Sequence, residues 1–185
     1  MNCEINISGI CLKCGEITLR EFKPGDLQDL FQFASQPGLG EMAGWHHHES
    51  PEDSASLLNY YIKTKKTFAL EFGGRVIGSL GLQRYEERRF PELSNSLGRE
   101  LSFALHRDFH NRGIMTQAVG ELCRWLFEDL GFGFVLIGCY EENLPSRRVA
   151  EKCGFEFYKR AETINQMGQR REAMFYLRKR LCKLK

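Results

Sequence analysis

Residues His106–Ala118 read HRDFHNRGIMTQA and join two segments of different period. Before them, Glu100–Leu105 (ELSFAL) is extended and largely apolar. After them, Met115, Ala118, Val119, Leu122, Leu126 and Leu130 recur at three- and four-residue steps, the spacing of a buried helix face. At such a strand–turn–helix junction the first backbone N–H groups of the helix lack intrahelical partners, and with the helix dipole they make a site for phosphate oxygens. Gly113 lets the main chain approach closely; a glycine that merely permits a turn before a core helix has the same appearance.

Two other clusters carry ligating residue types. Gly38–Ser50 (GLGEMAGWHHHES) reads as a loop with three consecutive histidines. Neighbouring side chains diverge by about 100° on a helix and 180° on a strand, so His46–His48 cannot all reach one metal. The loop is expected to face substrate, with Trp45 as a wall and His46 beside it, while solvent exposure of His46–His48 is the plainer reading. Cys11-Leu12-Lys13-Cys14 has CxxC spacing, but no second pair follows and no βαβ pattern surrounds it, so no metal is assigned.

A second block lies downstream. In Asn143-Leu144-Pro145-Ser146-Arg147-Arg148-Val149-Ala150-Glu151-Lys152-Cys153-Gly154-Phe155, Asn143 can cap a helix whose first turn holds Pro145, and Gly154 can end it. Taken alone, this is a well-capped helix.

The elements that must position these residues follow from periodicity. Ile17–Phe22 alternates as a half-buried strand, and Leu27, Leu30, Phe31 and Ala34 keep helical spacing. Ser50 or Ser54 can cap a helix through Ile62. Phe68–Phe72 and Val76–Leu82, separated by Gly73-Gly74, form a hairpin. The charged stretch Tyr85–Asn95, with Arg88 and Arg89 expected in solvent, leads to the strand ending at Leu105. Phe134–Cys139 is a continuous apolar run suited to a strand buried on both faces. A short helix over Leu144–Lys152 and strands over Phe155–Tyr158 and Ala173–Leu177 complete a β-α-α-β-β-β-α-β-α-β-β order, a mixed α/β (α+β) domain. Residues 1–15 read as an N-terminal extension, and 16–185 as one domain.

With 185 residues, 42% of them hydrophobic, the chain can bury a sizeable core. A net charge of +2 gives no electrostatic case for nucleic acid, and no apolar run is long enough to span a membrane. Seven scattered cysteines, several at apolar positions, and a start without signal-peptide character suit a reducing cytoplasm.

His110-Asn111-Arg112-Gly113-Ile114-Met115 resembles the Q/R-x-x-G-x-G/A acyl-CoA pyrophosphate motif of the GNAT acetyltransferases, and FHNRGIMTQAV resembles the version in their ribosomal-protein N-terminal-acetyltransferase branch. The Asn143–Phe155 block resembles the N-x-x-S-x-x-V-x-E-K-x-G-F segment of the same family. The resemblance covers Glu16 to Leu181. It departs at His110, where the family has Gln or Arg, and at Met115, where it has Gly or Ala; the bulk of Met115 is expected to bear on how the loop packs.

The resemblance implies a GNAT fold, with a mostly antiparallel sheet splayed at its central strands and flanked by helices. It implies acetyl transfer from acetyl-CoA, without a metal, to a primary amine. The leading acceptor is a protein N-terminal α-amine; a small-molecule amine such as a polyamine, aminoglycoside or amino acid is the alternative, and a non-enzymatic acyl-CoA sensor is a third reading. A homodimer is compatible with it.

Carried over by position, Phe103, Ala104 and Leu105 lie along the pantetheine, and Asn111, Arg112, Gly113, Ile114, Met115 and Thr116 cradle the pyrophosphate. Arg107 and Arg112 add charge there or sit in solvent. Glu100 is the candidate base, or an outward-facing strand carboxylate if the register differs by one residue. Ser146 is the thiolate acid or a helix-turn residue, with Asn143 beside it, and Tyr140 is a second candidate acid. A peptide acceptor implies an open groove near Gly38–Ser50 and Arg84–Asn95, and a small amine a closed acidic pocket.

Overall fold

The computed structural model describes residues 1–181, and these form one eight-stranded sheet in the order β1-β2-β3-β4-β5-β6-β8-β7. The strands are β1 (Leu12–Cys14), β2 (Ile17–Glu21), β3 (Thr67–Phe72), β4 (Arg75–Gln83), β5 (Gly98–Leu105), β6 (Phe134–Cys139), β7 (Glu156–Ile164) and β8 (Arg170–Lys179). All neighbours are antiparallel except β5 and β6, which run parallel because the helix between them returns the chain to the same end.

That helix, α4 (Ile114–Arg124), continues through a π turn at Trp125–Asp129. It buries Met115, Ala118, Val119, Leu122 and Leu126 against Phe68, Leu80, Leu101, Val135 and Ile137, the main core. The opposite sheet face carries two smaller cores. α1 (Leu27–Ala34) and α3 (Pro51–Thr64) cover Ala69, Val76 and Ala104, while the chain from Tyr85 to Leu93 covers Phe134, Leu136 and Phe175. α5 (Leu144–Lys152) packs beside α4 and β6.

Three local expectations are corrected, and of the two candidate caps for α3 one is selected. Gly38–Ser50 is not all loop: Leu39–Ala43 is a short helix, α2, bounded by Gly38 and Gly44 in left-handed conformations, and the Glu41 carboxylate accepts the Gly38 N–H at 2.8 Å. Ser50, rather than Ser54, caps α3, exchanging hydrogen bonds with Asp53 in a capping box. β7 and β8 extend well beyond Tyr158 and Leu177; β7 is an edge strand with much of its length exposed, so it lacks the apolar alternation that marks β2. Arg89 is half-buried rather than in solvent, stacked over Phe175 at 5.3 Å and paired with Glu86 at 2.6 Å.

The first fifteen residues pack onto this frame. Ile5 and Ile7 join the main core, β1 pairs with β2, and the buried Arg99 guanidinium donates to Asn2 Oδ1 at 3.3 Å and to the Cys3 carbonyl.

Candidate functional site

The parallel β5–β6 ladder runs only from Gly98↔Phe134 to Leu101↔Ile137. Beyond it, Ser102–Leu105 pair with β4 alone, and Gly138 and Cys139 with β8 alone. The two central strands therefore part, and the β5 edge facing β6 presents main-chain groups with no ladder partner, of the kind an extended amide chain can pair with. Phe103 and Leu105 pack toward α4, and Ala104 toward the α1–α3 face.

The loop His106–Gly113 sits at the open end of this wedge. It makes a 3-10 turn at Arg107–Phe109, and His110 Nε2 bonds the Leu105 carbonyl at 2.8 Å, holding the loop to the end of β5. Asn111 and Gly113 adopt left-handed backbone angles, φ 59° and 74°. Asparagine tolerates that region better than most residues, and glycine enters it freely. α4 begins at Ile114 with Gly113 as an N-cap that offers no side-chain acceptor, so the first N–H groups of the helix have no intrahelical partner. Asn111, Arg112 and Gly113 are exposed, and a Cβ on Gly113 meets nothing nearer than Gln117 Nε2 at 3.9 Å. The result is an open cradle of amides at the positive end of a helix.

The side chains around the cradle sort by direction. Ile114 and Met115 are buried in the main core, so Met115 does not crowd the loop. Thr116 is half-buried. The Arg112 guanidinium lies over Phe72 and Phe109 at 5.2 and 5.3 Å, beside the first turn of α4. Arg107 is turned away: its N–H donates to Gln36 Oε1 at 3.0 Å and its guanidinium to the Pro37 carbonyl, tying down the chain between α1 and α2.

On the β6 side, Asn143 Oδ1 accepts the Ser146 N–H at 3.1 Å, capping α5, while Nδ2 donates to the Met42 carbonyl at 3.0 Å. Both ends of the amide are thereby engaged. Ser146 is buried, near the Cys139 thiol at the end of β6. Burial pushes that thiol up to about 11. Tyr140 follows, with Arg171 over its ring at 3.9 Å.

Glu100 faces away from α4, on the sheet face shared with Leu136 and Gly138. Its Oε1 lies 3.0 Å from where a Gly138 Cβ would stand, and the Phe175 ring 2.7 Å from the same point, so only glycine fits there. Burial raises the Glu100 carboxyl from the usual 4.5 to about 7; Arg89 acts against that rise and Glu86 adds to it. Next along the same face, Ser102 is exposed, leaving the sheet open to solvent above it.

Trp45 and His46 line a cavity of 240 Å³ with His48, Leu57, Tyr61 and Met167. Of the three histidines only His46 is exposed. His47 pairs with Glu41 at 2.7 Å, and His48 Nδ1 bonds Ser54 Oγ at 2.7 Å, so the solvent-exposed reading of His46–His48 fails for two of them. Among the described residues no three His, Cys, Asp or Glu side chains gather as a metal-ligand set. No local motif marks Arg89, Tyr61 or Met167 as part of a site, and Tyr61 lies in an apolar helix stripe.

The GNAT acetyltransferase domain model matches residues 16–156, and the chain belongs to that family. It is an N-acetyltransferase of the GNAT class. No curated protein matches it. Among solved structures, a GNAT-family acetyltransferase from Bacillus anthracis superposes with a TM-score of 0.77 at 16% identity, over 92% of this chain and 99% of that one. RimL, a ribosomal L7/L12 α-N-protein acetyltransferase in complex with coenzyme A, gives 0.73 at 15% identity, over 91% and 97%. The ribosomal-protein-S5-alanine acetyltransferase of Vibrio fischeri gives 0.69 at 17%, over 95% and 99%. At these identities the superpositions speak for the fold.

Proposed function

We propose that this acetyltransferase takes acetyl-CoA as donor and a protein N-terminal α-amine as acceptor, in the cytoplasm, with a small-molecule amine as the alternative acceptor. The observation that carries the donor is the amide cradle at the head of α4, opening in line with the β5–β6 wedge. A diphosphate fits the cradle, with Asn111 to Thr116 supplying main-chain donors and Arg112 a nearby charge. The β5 edge from Phe103 to the Leu105 N–H supplies partners for pantetheine amides, the Leu105 carbonyl being held by His110. Family membership as an acetyltransferase displaces the non-enzymatic sensor reading.

The chemistry assigns one proton transfer to each side of the wedge. Glu100 removes the proton from the ammonium, directly or through water, so that nitrogen bonds the acetyl carbon as the carbon–sulfur bond breaks. The Ser146 hydroxyl gives a proton to the departing sulfur and is reprotonated, through water, by the second proton that the nitrogen releases as the amide forms. A base near 7 suits an α-amine, whose pKa is about 8, better than a lysine amine at about 10.4. Exposed Ser102 beside Glu100 leaves room for a chain to approach across the sheet. Asn143 acts through position, holding Ser146 and α2 together. The described cysteines are free, in keeping with a reducing compartment.

Titration calorimetry with coenzyme A and acetyl-CoA tests the donor site. The wild type is expected to bind both. Gly113→Ala is expected to remain folded, losing about 1 kcal/mol to the left-handed backbone, while its Cβ enters the cradle and weakens binding more than tenfold. Absence of binding in the wild type, or unchanged affinity in folded Gly113→Ala, refutes the assignment.

A further inference from the structure

The cavity bordered by Trp45, His46, His48, Leu57, Tyr61 and Met167 is not used by the donor. It lies on the sheet face opposite α4, and its lining residues pack against segments on both sides of the wedge. Trp45 and Tyr61 pack in the cluster containing Ala104, on the parted stretch of β5, and the Tyr61 hydroxyl lies near Ser79, which pairs with Ala104. On the other side Gln166, also in the lining, donates its N–H to the Gly44 carbonyl at 2.9 Å; a Cβ on Gly44 would stand 3.1 Å from the Tyr140 hydroxyl, just past the end of β6.

We infer that this cavity receives an apolar or aromatic side chain carried by the acceptor amine, and that the enzyme selects amines bearing such a group over polycationic ones. The inference rests on the amine-acceptor reading above and deepens it. Apart from the Gln166 amide the lining is aromatic and aliphatic, and among the described residues none of it is a carboxylate. Burial holds the His48 imidazole below its usual pKa, which disfavours its positive form as a countercharge for an anion, and its Nδ1 is engaged by Ser54 Oγ. A second ammonium of a polyamine placed here meets ring faces and one amide but no carboxylate, which offsets only part of its lost hydration. At 240 Å³ the cavity is smaller than the sites that enclose drug-sized molecules and suits one side chain. A peptide beginning with a large apolar residue and a free arylalkylamine share this chemistry.

The test is initial-rate kcat/KM with acetyl-CoA for glycinamide, leucinamide, phenylalaninamide, a phenylalanine-initiated peptide, phenethylamine and spermidine. It is run on the wild type and on Leu57→Trp, which fills the cavity, and Leu57→Glu, which charges it; coenzyme A binding checks that each variant folds. The wild type is expected to favour the leucine and phenylalanine acceptors over glycinamide by 10- to 200-fold, the range a hydrophobic pocket gives. Leu57→Trp should bring that ratio toward one, and Leu57→Glu should raise the relative rate with spermidine. Peptide and phenethylamine arms separate the two sources of the side chain. A wild type that turns over amines but prefers glycinamide or spermidine, or a ratio untouched in folded Leu57→Trp, overturns this inference alone. Coenzyme A binding without acetylation of any amine overturns the acceptor reading, and the inference with it.

Discussion

Replacing Glu100 by Gln should make the protein more stable and a poorer enzyme. In the folded chain burial lifts this carboxyl from 4.5 to about 7. Below pH 4.5 it is protonated in both folded and unfolded chains and costs nothing. Between 4.5 and about 7 the unfolded chain gives up its proton first, so stability falls as pH rises, and above about 7 the whole penalty applies. The difference amounts to about 3 kcal/mol as an upper value. Gln removes the penalty while keeping the shape, so at pH 8 Glu100→Gln should melt roughly 6–12 °C above the wild type for a chain of this size. At pH 5 the gain should shrink to under about 1 kcal/mol. Wild-type kcat/KM should rise through about pH 7 as the base ionises. The variant should lose that limb and roughly 10²–10⁴ of its rate, the usual contribution of a positioned base. Scanning calorimetry and a pH–rate profile measure both. Equal melting temperatures at pH 8 together with an intact limb would refute the placement of Glu100 as a buried base.

Two further substitutions probe the frame. Asn143→Ala removes the α5 cap and the bond to Met42, and should cost about 1 kcal/mol or somewhat more, lowering the melting temperature by about 2–4 °C per kcal/mol; Asn143→Asp restores the cap alone and should fall between. Arg89→Met removes the positive charge that opposes the rise of Glu100, so the acid limb of the pH–rate profile should move to higher pH while coenzyme A affinity stays as in the wild type.

The sequence carried the backbone logic of the donor site because that logic is local. Gly113, the apolar run before it and the helical stripe after it are contiguous, and their order implies a helix N-terminus at the end of a strand. The same holds for Asn143 capping α5. What stayed hidden depends on segments distant in the chain. Arg89 looks like a solvent charge until Phe175, supplied by β8, lies beneath it. Glu100 reads as either a cleft or a surface carboxylate until the β5 register places it beside Gly138. His48 looks exposed until α3 brings up Ser54. α2 escaped detection because a five-residue helix between two glycines has no periodicity to read.

The departures from the family motif at His110 and Met115 follow the same division. The cradle is made of main-chain amides, so side chains there are constrained by where they point rather than by what they bind. His110 points back to the Leu105 carbonyl, a role open to other donors, and Met115 points into the core, where an unbranched side chain fills space among α4 and the sheet. The positions with little latitude are the two in left-handed conformations. Asn111 and Gly113 set the path that turns the first N–H groups of α4 outward, and a β-branched residue at either would strain that path. Tolerance in this loop should therefore follow φ, not chemical similarity: Met115→Leu is expected to leave coenzyme A affinity near the wild-type value, whereas Asn111→Val weakens it in calorimetry without introducing or removing a charge.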